Sequence, residues 1–319
     1  MVDVAVMIEG QDGLTWRRWR ALLGAAEDFG FQGVFRSDHF TNPSPPDKES
    51  LELWTSLTYA AGHTTGIEFG SLVAPVTFRH PSITARMAAA VDDLSGGRLV
   101  LGIGAGWNER EHRTFGIPFP ATDTRLSMLE EYIQVVQTLL RGDEPASFHG
   151  RHFHLDDAVL LPRPLRAGGP PILVGGNGPR RTLPLAARYA DEWNAVFVGP
   201  DELLGLMRRL DVLLDEIERP RDAVKRSVML GTVFAQDDGA LRHRLEERGM
   251  GADDATGRGW IVGTPAMWVE QLRAYAEIGV ERIMLQWLDQ DNLSDLETIG
   301  REVLPALRAS RTTTPSETA

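Results

Sequence analysis

Eight short apolar runs, separated by amphipathic stretches of helical period, constrain this chain more than any other feature of its sequence. The runs are Val4–Ile8, Gly33–Arg36, Ile67–Val73, Leu99–Ile103, Pro171–Val174, Glu192–Val196, Val228–Ala235 and Glu281–Trp287. Between and after them the spacing predicts helices over Trp16–Phe29, Leu53–Ala61, Ser82–Leu94, Arg125–Leu140, Thr182–Tyr189, Asp201–Ile217, Pro265–Ile278 and Leu293–Ala309. Gly30 and Gly96-Gly97 stand where helices of this kind end. Strands alternating with helices build parallel sheets from βαβ units. Eight repeats in 319 residues match a single (β/α)₈ barrel in length. Periodicity alone does not show closure, so a doubly wound open sheet is the runner-up.

The rhythm breaks twice. Phe148–Leu161 alternates in the manner of a β-hairpin, and Asp237–Trp260 is polar and glycine-rich. These read as insertions after strands four and seven, at about 147–162 and 236–262, in a barrel domain of residues 1–309. Residues 310–319 read as a disordered tail.

Several function classes are excluded or disfavoured at this stage. The absence of cysteine removes disulfides, thiolate nucleophiles and Cys-based metal sites. A net charge of −12 argues against nucleic acid and anionic membranes as partners, although a pocket can be locally positive. The first residues carry Asp3 and no basic segment, so no signal peptide is expected; with no apolar run of membrane length, a cytoplasmic protein is. Ser-nucleophile, Walker A and H-E-x-x-H motifs are missing. His149, His152 and His154 lie close in sequence, but alternation on a hairpin places 152 and 154 on one face and 149 on the other, so no metal site is expected.

In a barrel of this type, the loops after the strands form the functional face. Four are chemically loaded. Ser37-Asp38-His39-Phe40 sets an imidazole beside a carboxylate, which suits proton transfer; alternatively, His39 merely caps the strand. The small apolar run Ser71-Leu72-Val73-Ala74 lets a flat ring lie against backbone, with Arg79 placed to meet an anion; an ordinary strand exit is the alternative. Gly102-Ile103-Gly104-Ala105-Gly106-Trp107-Asn108-Glu109 is a broken dinucleotide fingerprint, its third glycine replaced by Trp107, and its glycines permit close approach of a ligand. Trp107 is then a pocket wall or a core aromatic. Val174-Gly175-Gly176-Asn177-Gly178-Pro179-Arg180-Arg181 runs straight into a helix, an arrangement suited to binding phosphate through backbone N–H groups and nearby guanidiniums; a flexible turn with exposed arginines is the alternative.

Taken in order, these segments resemble the luciferase-like monooxygenase family. Ser37–Phe40, Arg79-His80-Pro81, Ile103–His112, Phe148–Leu155 and Ile172–Asn194 carry the resemblance, which covers roughly residues 3–290. It implies a (β/α)₈-barrel oxidoreductase that uses coenzyme F420, with FMN as the alternative cofactor and a homodimer as the expected assembly. Only Lys48 and Lys225 are lysines among 33 basic residues, a bias that fits a high-GC host and an F420 enzyme. The resemblance implies His39, supported by Asp38, at the reactive edge of the ring, with Glu109 as a further acid. Leu72-Val73 would press on the ring face, in a bulge that in this family often holds a non-proline cis peptide. Ser37, Ala74, Gly104, Ala105, Gly106, Trp107 and Gly175 would complete the ring site, and Gly176, Asn177, Gly178 and Arg180 would hold the phosphate. Several alcohol-oxidising members carry glutamate where this chain has Trp107, which puts that chemistry in doubt here. Three functions follow: hydride transfer with F420, FMN-dependent monooxygenation with O₂, or cofactor binding without catalysis.

Overall fold

The computed structural model describes residues 2–309. The barrel strands are β1 (Asp3–Ile8), β2 (Gly33–Arg36), β3 (Glu68–Ser71), β4 (Leu99–Gly104), β5 (Ile172–Gly175), β6 (Glu192–Val196), β7 (Lys225–Phe234) and β8 (Arg282–Gln286). All pair in parallel, each with its neighbour in sequence. The circle closes where β1 meets β8, Asp3 opposite Arg282 and Met7 opposite Gln286. The sheet is therefore a closed barrel, and the open-sheet alternative falls.

The strands read as unbroken apolar runs because both faces are buried. Ala5, Met7, Phe35, Leu72, Val100, Leu173, Met229 and Met284 fill the lumen. Alternate residues such as Val4, Val6 and Ile8 pack outward against the helices, where Trp19, Trp193 and Trp268 are fully buried. Helix ends follow the expected chemistry. Thr15 accepts the Arg18 N–H at the start of helix Trp16–Asp28. At the end of helix Pro81–Ser95, Gly96 and Gly97 take the left-handed conformation (φ 71° and 89°) that only glycine adopts without cost.

The structure departs from the sequence reading where periodicity is weak. The third run, expected to extend to Val73, breaks at Ser71. Leu72-Val73 forms a bulge with a cis peptide, and Ala74–Pro75 then pairs with β4. Helix Glu109–Phe115, seven residues with no apolar stripe, follows β4 where only a loop was expected. The second insertion is ordered as helices Asp238–Glu247 and Ala252–Gly257 and a strand, Trp260–Gly263, beside the outer half of β7. The last helix is interrupted by a π turn, Ile299–Val303. In the first insertion, strands Ala146–His149 and His154–Ala158 pair antiparallel with His149 directly opposite His154. Those two rings therefore share a neighbourhood (centroids 6.3 Å apart), while His152 sits off the strands with Nε2 3.1 Å from Ser127 Oγ. The expectation that 152 and 154 share a face against 149 is overturned, because the turn begins before His152. Residues 310–319, read as a tail, lie outside the described part of the chain.

Candidate active site

The C-terminal ends of the strands surround a cavity of about 600 Å³. Every strand contributes to its wall: Met7, Ser37, Leu72, Gly104, Gly175, Asn194, Met229 and Gln286, in strand order. Most of the lining is apolar, with a few polar groups converging on it, as in small-molecule sites generally.

His39 stands on this wall, and its partner is not its neighbour in sequence. Its Nδ1 lies 2.8 Å from Glu111 Oε1, while Glu111 Oε2 accepts the Phe40 N–H at 2.9 Å. Glu111 comes from the unforeseen helix 109–115 and is 1% exposed. A carboxylate only accepts, so Nδ1 carries hydrogen and Nε2 is left for the cavity. Burial pushes the ring towards neutrality, but the hydrogen bond and charge of Glu111 outweigh it and hold the His39 pKa above its ordinary value. Trp107 covers the ring edge-on at 5.3 Å and is 60% exposed, which makes it a rim residue rather than a core aromatic.

Asp38 turns the other way. Its carboxylate is buried and paired with Arg79, which also reaches Glu52 at 2.9 Å. Burial raises the Asp38 pKa against the opposing pull of Arg79. Asp38 thus braces the strand end beneath the site and does not orient His39, and Arg79, expected to meet a ligand anion, is spent on these two carboxylates. Beneath them Arg36 is fully buried, donating to the carbonyls of Ser37 and Leu51 and to Ser56 Oγ; burial lowers its pKa to about 10. Glu109 lies on the exposed side of its short helix and does not line the cavity.

The other expected residues divide. Ser37, Leu72, Val73, Gly104, Ala105, Gly106, Trp107, Gly175 and Gly176 line the cavity. Ala74 is buried behind it in the strand that extends the bulge. The glycines of β4 and β5 make room for the bulge as much as for a ligand, since a Cβ on Gly104 would meet Val73 Cγ2 at 2.4 Å and one on Gly175 would meet Val73 Cγ1 at 3.2 Å. The Asn177 side chain clamps the end of β6, donating to Val196 O (2.8 Å) and accepting from Val196 N–H (2.9 Å). Gly178 and Arg180 sit on the outer lip ahead of helix Thr182–Tyr189, with Arg180 exposed.

Glu9, Gln11, Asn194 and Gln286 were not anticipated. Glu9 Oε1 accepts from Gln286 Nε2 at 2.7 Å and Oε2 from Gln11 Nε2 at 3.0 Å. Asn194 is fully buried, and its Oδ1 has no partner among the described residues. The signal for Glu9, Gln11 and Gln286 was a polar residue near the end of an apolar run; Asn194 was a lone amide in the middle of one.

A profile of the luciferase-like monooxygenase family matches residues 4–250. The chain belongs to the luciferase-like monooxygenase family. The F420-dependent glucose-6-phosphate dehydrogenase of Intrasporangium calvum is 28% identical over 316 residues, covering 89% of this chain and 92% of its own. The FMNH₂-dependent dimethylsulfone monooxygenase of Pseudomonas putida is 25% identical over 325 residues, covering 91% and 87%. Among solved structures, an F420-dependent secondary alcohol dehydrogenase in complex with an F420-acetone adduct superposes with a TM-score of 0.84 at 20% identity, covering 96% of this chain and 99% of that one. At that identity the likeness speaks for the barrel fold. The relatives are F420- or FMN-dependent oxidoreductases and monooxygenases, and this member of the family is an oxidoreductase. No described helix is long and apolar enough to cross a membrane.

Proposed function

We propose that the protein is an F420-dependent oxidoreductase that transfers hydride between the deazaflavin and a small organic substrate. The observation that carries this reading is His39: an imidazole on the wall of an apolar cavity, its Nδ1 fixed by a buried carboxylate and its Nε2 free to exchange a proton.

The residues present fit a tricyclic ring with a polar edge. Leu72, Val73, Met7, Met229, Val196 and Phe197 offer apolar contact to the ring faces, and the unpartnered Asn194 Oδ1 is an acceptor awaiting a donor. When bound, the deazaflavin supplies the hydride-transferring carbon, and the chain's part is orientation and proton handling. The bulge at Leu72-Val73 supports one ring face. His39 Nε2 gives or takes the proton that accompanies hydride transfer. The Gly176 N–H is taken by the Asn194 carbonyl (2.9 Å), so the backbone N–H groups of Asn177 and Gly178, with Arg180 beside them, are the ones that would hold the phosphate at the start of helix Thr182–Tyr189.

Titration of the apo-protein with coenzyme F420 and with FMN, followed by fluorescence quenching, tests the cofactor. Micromolar binding of F420 with no response to FMN is expected; preference for FMN moves the protein to monooxygenation with O₂ and sinks hydride transfer. A stable complex that no donor or acceptor turns over would make the protein a cofactor carrier.

The phosphate site is tested separately. Arg180→Ala weakens F420 binding by about tenfold, the scale of one charge-assisted contact. Unchanged affinity would remove the lip from the site.

A further inference from the structure

Glu9 is a carboxylate without a cation. Both its oxygens accept amide hydrogens, from Gln286 (2.7 Å) and Gln11 (3.0 Å), and it forms no ion pair among the described residues. The scaffold around it is deliberate: Gln11 Oε1 accepts from Ser37 Oγ at 2.8 Å, and Gln290 Nε2 donates to the Glu9 carbonyl at 3.0 Å. Two neutral amides fix the position of the group without cancelling its charge, and each carboxylate oxygen keeps acceptor capacity.

The rest of the cavity wall offers Glu9 no ion-pair partner. Its wall contains neither lysine nor arginine, and the ionisable groups on it are Glu9 and His39. His39 is already paired with Glu111. The nearby Arg36 is wholly buried and spent on the carbonyls of Ser37 and Leu51 and on Ser56. The mostly apolar cavity therefore carries one fixed carboxylate that no cation on its wall pairs with; Arg36, packed behind Gly10, and His39 attract it at a distance without bonding it.

Its placement gives that charge a role. Around a closed eight-stranded barrel, β1 and β8 lie opposite β5 and β4. The bulge after β3 and the glycine lip after β5 lie on the cofactor side of the mouth; this assignment rests on the reading given above. Glu9 and Gln286 stand across from it, where a substrate would meet the ring.

We infer that Glu9 sets the charge class of the substrate: the cavity takes an apolar molecule that presents a hydrogen-bond donor, neutral or cationic, and turns away carboxylates and phosphate esters. A hydroxyl or ammonium group completes the acceptor sites of Glu9, whereas an anion there faces like charge in a mostly apolar cavity. The glucose-6-phosphate dehydrogenases similar to this chain are named for an anionic substrate; this cavity selects differently.

The test is a matched series with one cyclohexyl body and varied heads: cyclohexylmethylamine, cyclohexylmethanol, cyclohexanecarboxylate and cyclohexylmethyl phosphate. Binding is measured by calorimetry at saturating F420, after titration of the coenzyme itself. The amine is expected to bind at least about tenfold more tightly than the carboxylate, with the phosphate ester weaker still. In Glu9→Gln, which keeps the shape and loses the charge, that preference shrinks about tenfold or more. A carboxylate that binds the wild type as tightly as the amine, or a preference unmoved in Glu9→Gln, overturns the inference. Should Glu9→Gln fail to fold, the wild-type order alone decides. If F420 does not bind, the cofactor reading falls, and the same series on the protein alone still judges Glu9.

Discussion

Replacing Glu111 by glutamine is expected to lower turnover about 100-fold while leaving F420 affinity nearly unchanged. The reason lies in the two bonds the carboxylate makes. Oε1 receives His39 Nδ1–H and Oε2 receives the Phe40 N–H, at 2.8 and 2.9 Å. Glutamine offers one acceptor and one donor, so it satisfies only one of the two. If its oxygen serves Phe40, its NH₂ faces Nδ1 and drives the imidazole into the tautomer with hydrogen on Nε2. If its oxygen serves His39, the Phe40 N–H is left facing another donor in a buried place. His39→Ala removes the proton carrier itself and sets the floor that Glu111→Gln approaches; about 10²–10⁴-fold is the usual scale for such a group. Because Glu111 holds the His39 pKa above its ordinary value of 6.5, loss of its charge moves that pKa down. Any rate that needs protonated His39 then fails at lower pH than in the wild type. The stability linkage has the same sign. The contribution of His39 is fully present below 6.5 and is lost as pH rises through its raised folded-state pKa, and Glu111→Gln forfeits it. An NMR titration of the His39 ring reads the shift without any substrate. If the midpoint stays in place, Glu111 does not govern His39.

That partnership marks the limit of what the sequence discloses. All eight strands were readable because a strand buried on both faces is an apolar run, and Val4–Ile8 or Leu99–Ile103 has no other economical reading. The barrel alone directs attention to residues at strand ends, and Ser37, His39, Leu72, Val73, Gly104 and Gly175 lie on the cavity wall. Asp38 misled because it adjoins His39 in sequence, whereas successive residues of an extended chain point to opposite sides. The true partner lies 72 positions away, on a helix of seven residues with no apolar stripe to announce it. The same helix explains Glu109: two positions along a helix turn the side chain about 200°, so Glu111 points inward and Glu109 does not. Glu9 and Gln286 were hidden by their own strands, each a single polar residue at the edge of an apolar run. Only closure of β1 against β8 makes them a pair.

At the opposite end of the barrel, Arg282→Met is expected to destabilise the protein by about 3–5 kcal/mol without touching the cavity. The Arg282 guanidinium is 2% exposed and donates to Glu192 at 2.9 Å, with Glu68 as a second partner and Asp3 at 3.8 Å. These four residues begin β8, β6, β3 and β1, so one side chain ties together strand starts from around the ring. Methionine fills comparable volume, which isolates the electrostatic loss from a packing defect. What remains is Glu192, 3% exposed and stripped of its cation. Burial already raises the pKa of Glu192 against the pull of Arg282, and without Arg282 it climbs further. The destabilisation should therefore be full at and above neutral pH and shrink on acidification, as folded Glu192 takes up a proton ahead of the unfolded chain. Glu192→Gln in the Arg282→Met background removes the stranded charge and recovers much of the loss. Urea unfolding of the two variants at several pH values measures this directly. A single variant that loses less than about 1 kcal/mol, or a double variant no more stable than the single, would show that packing rather than charge closes this end of the barrel.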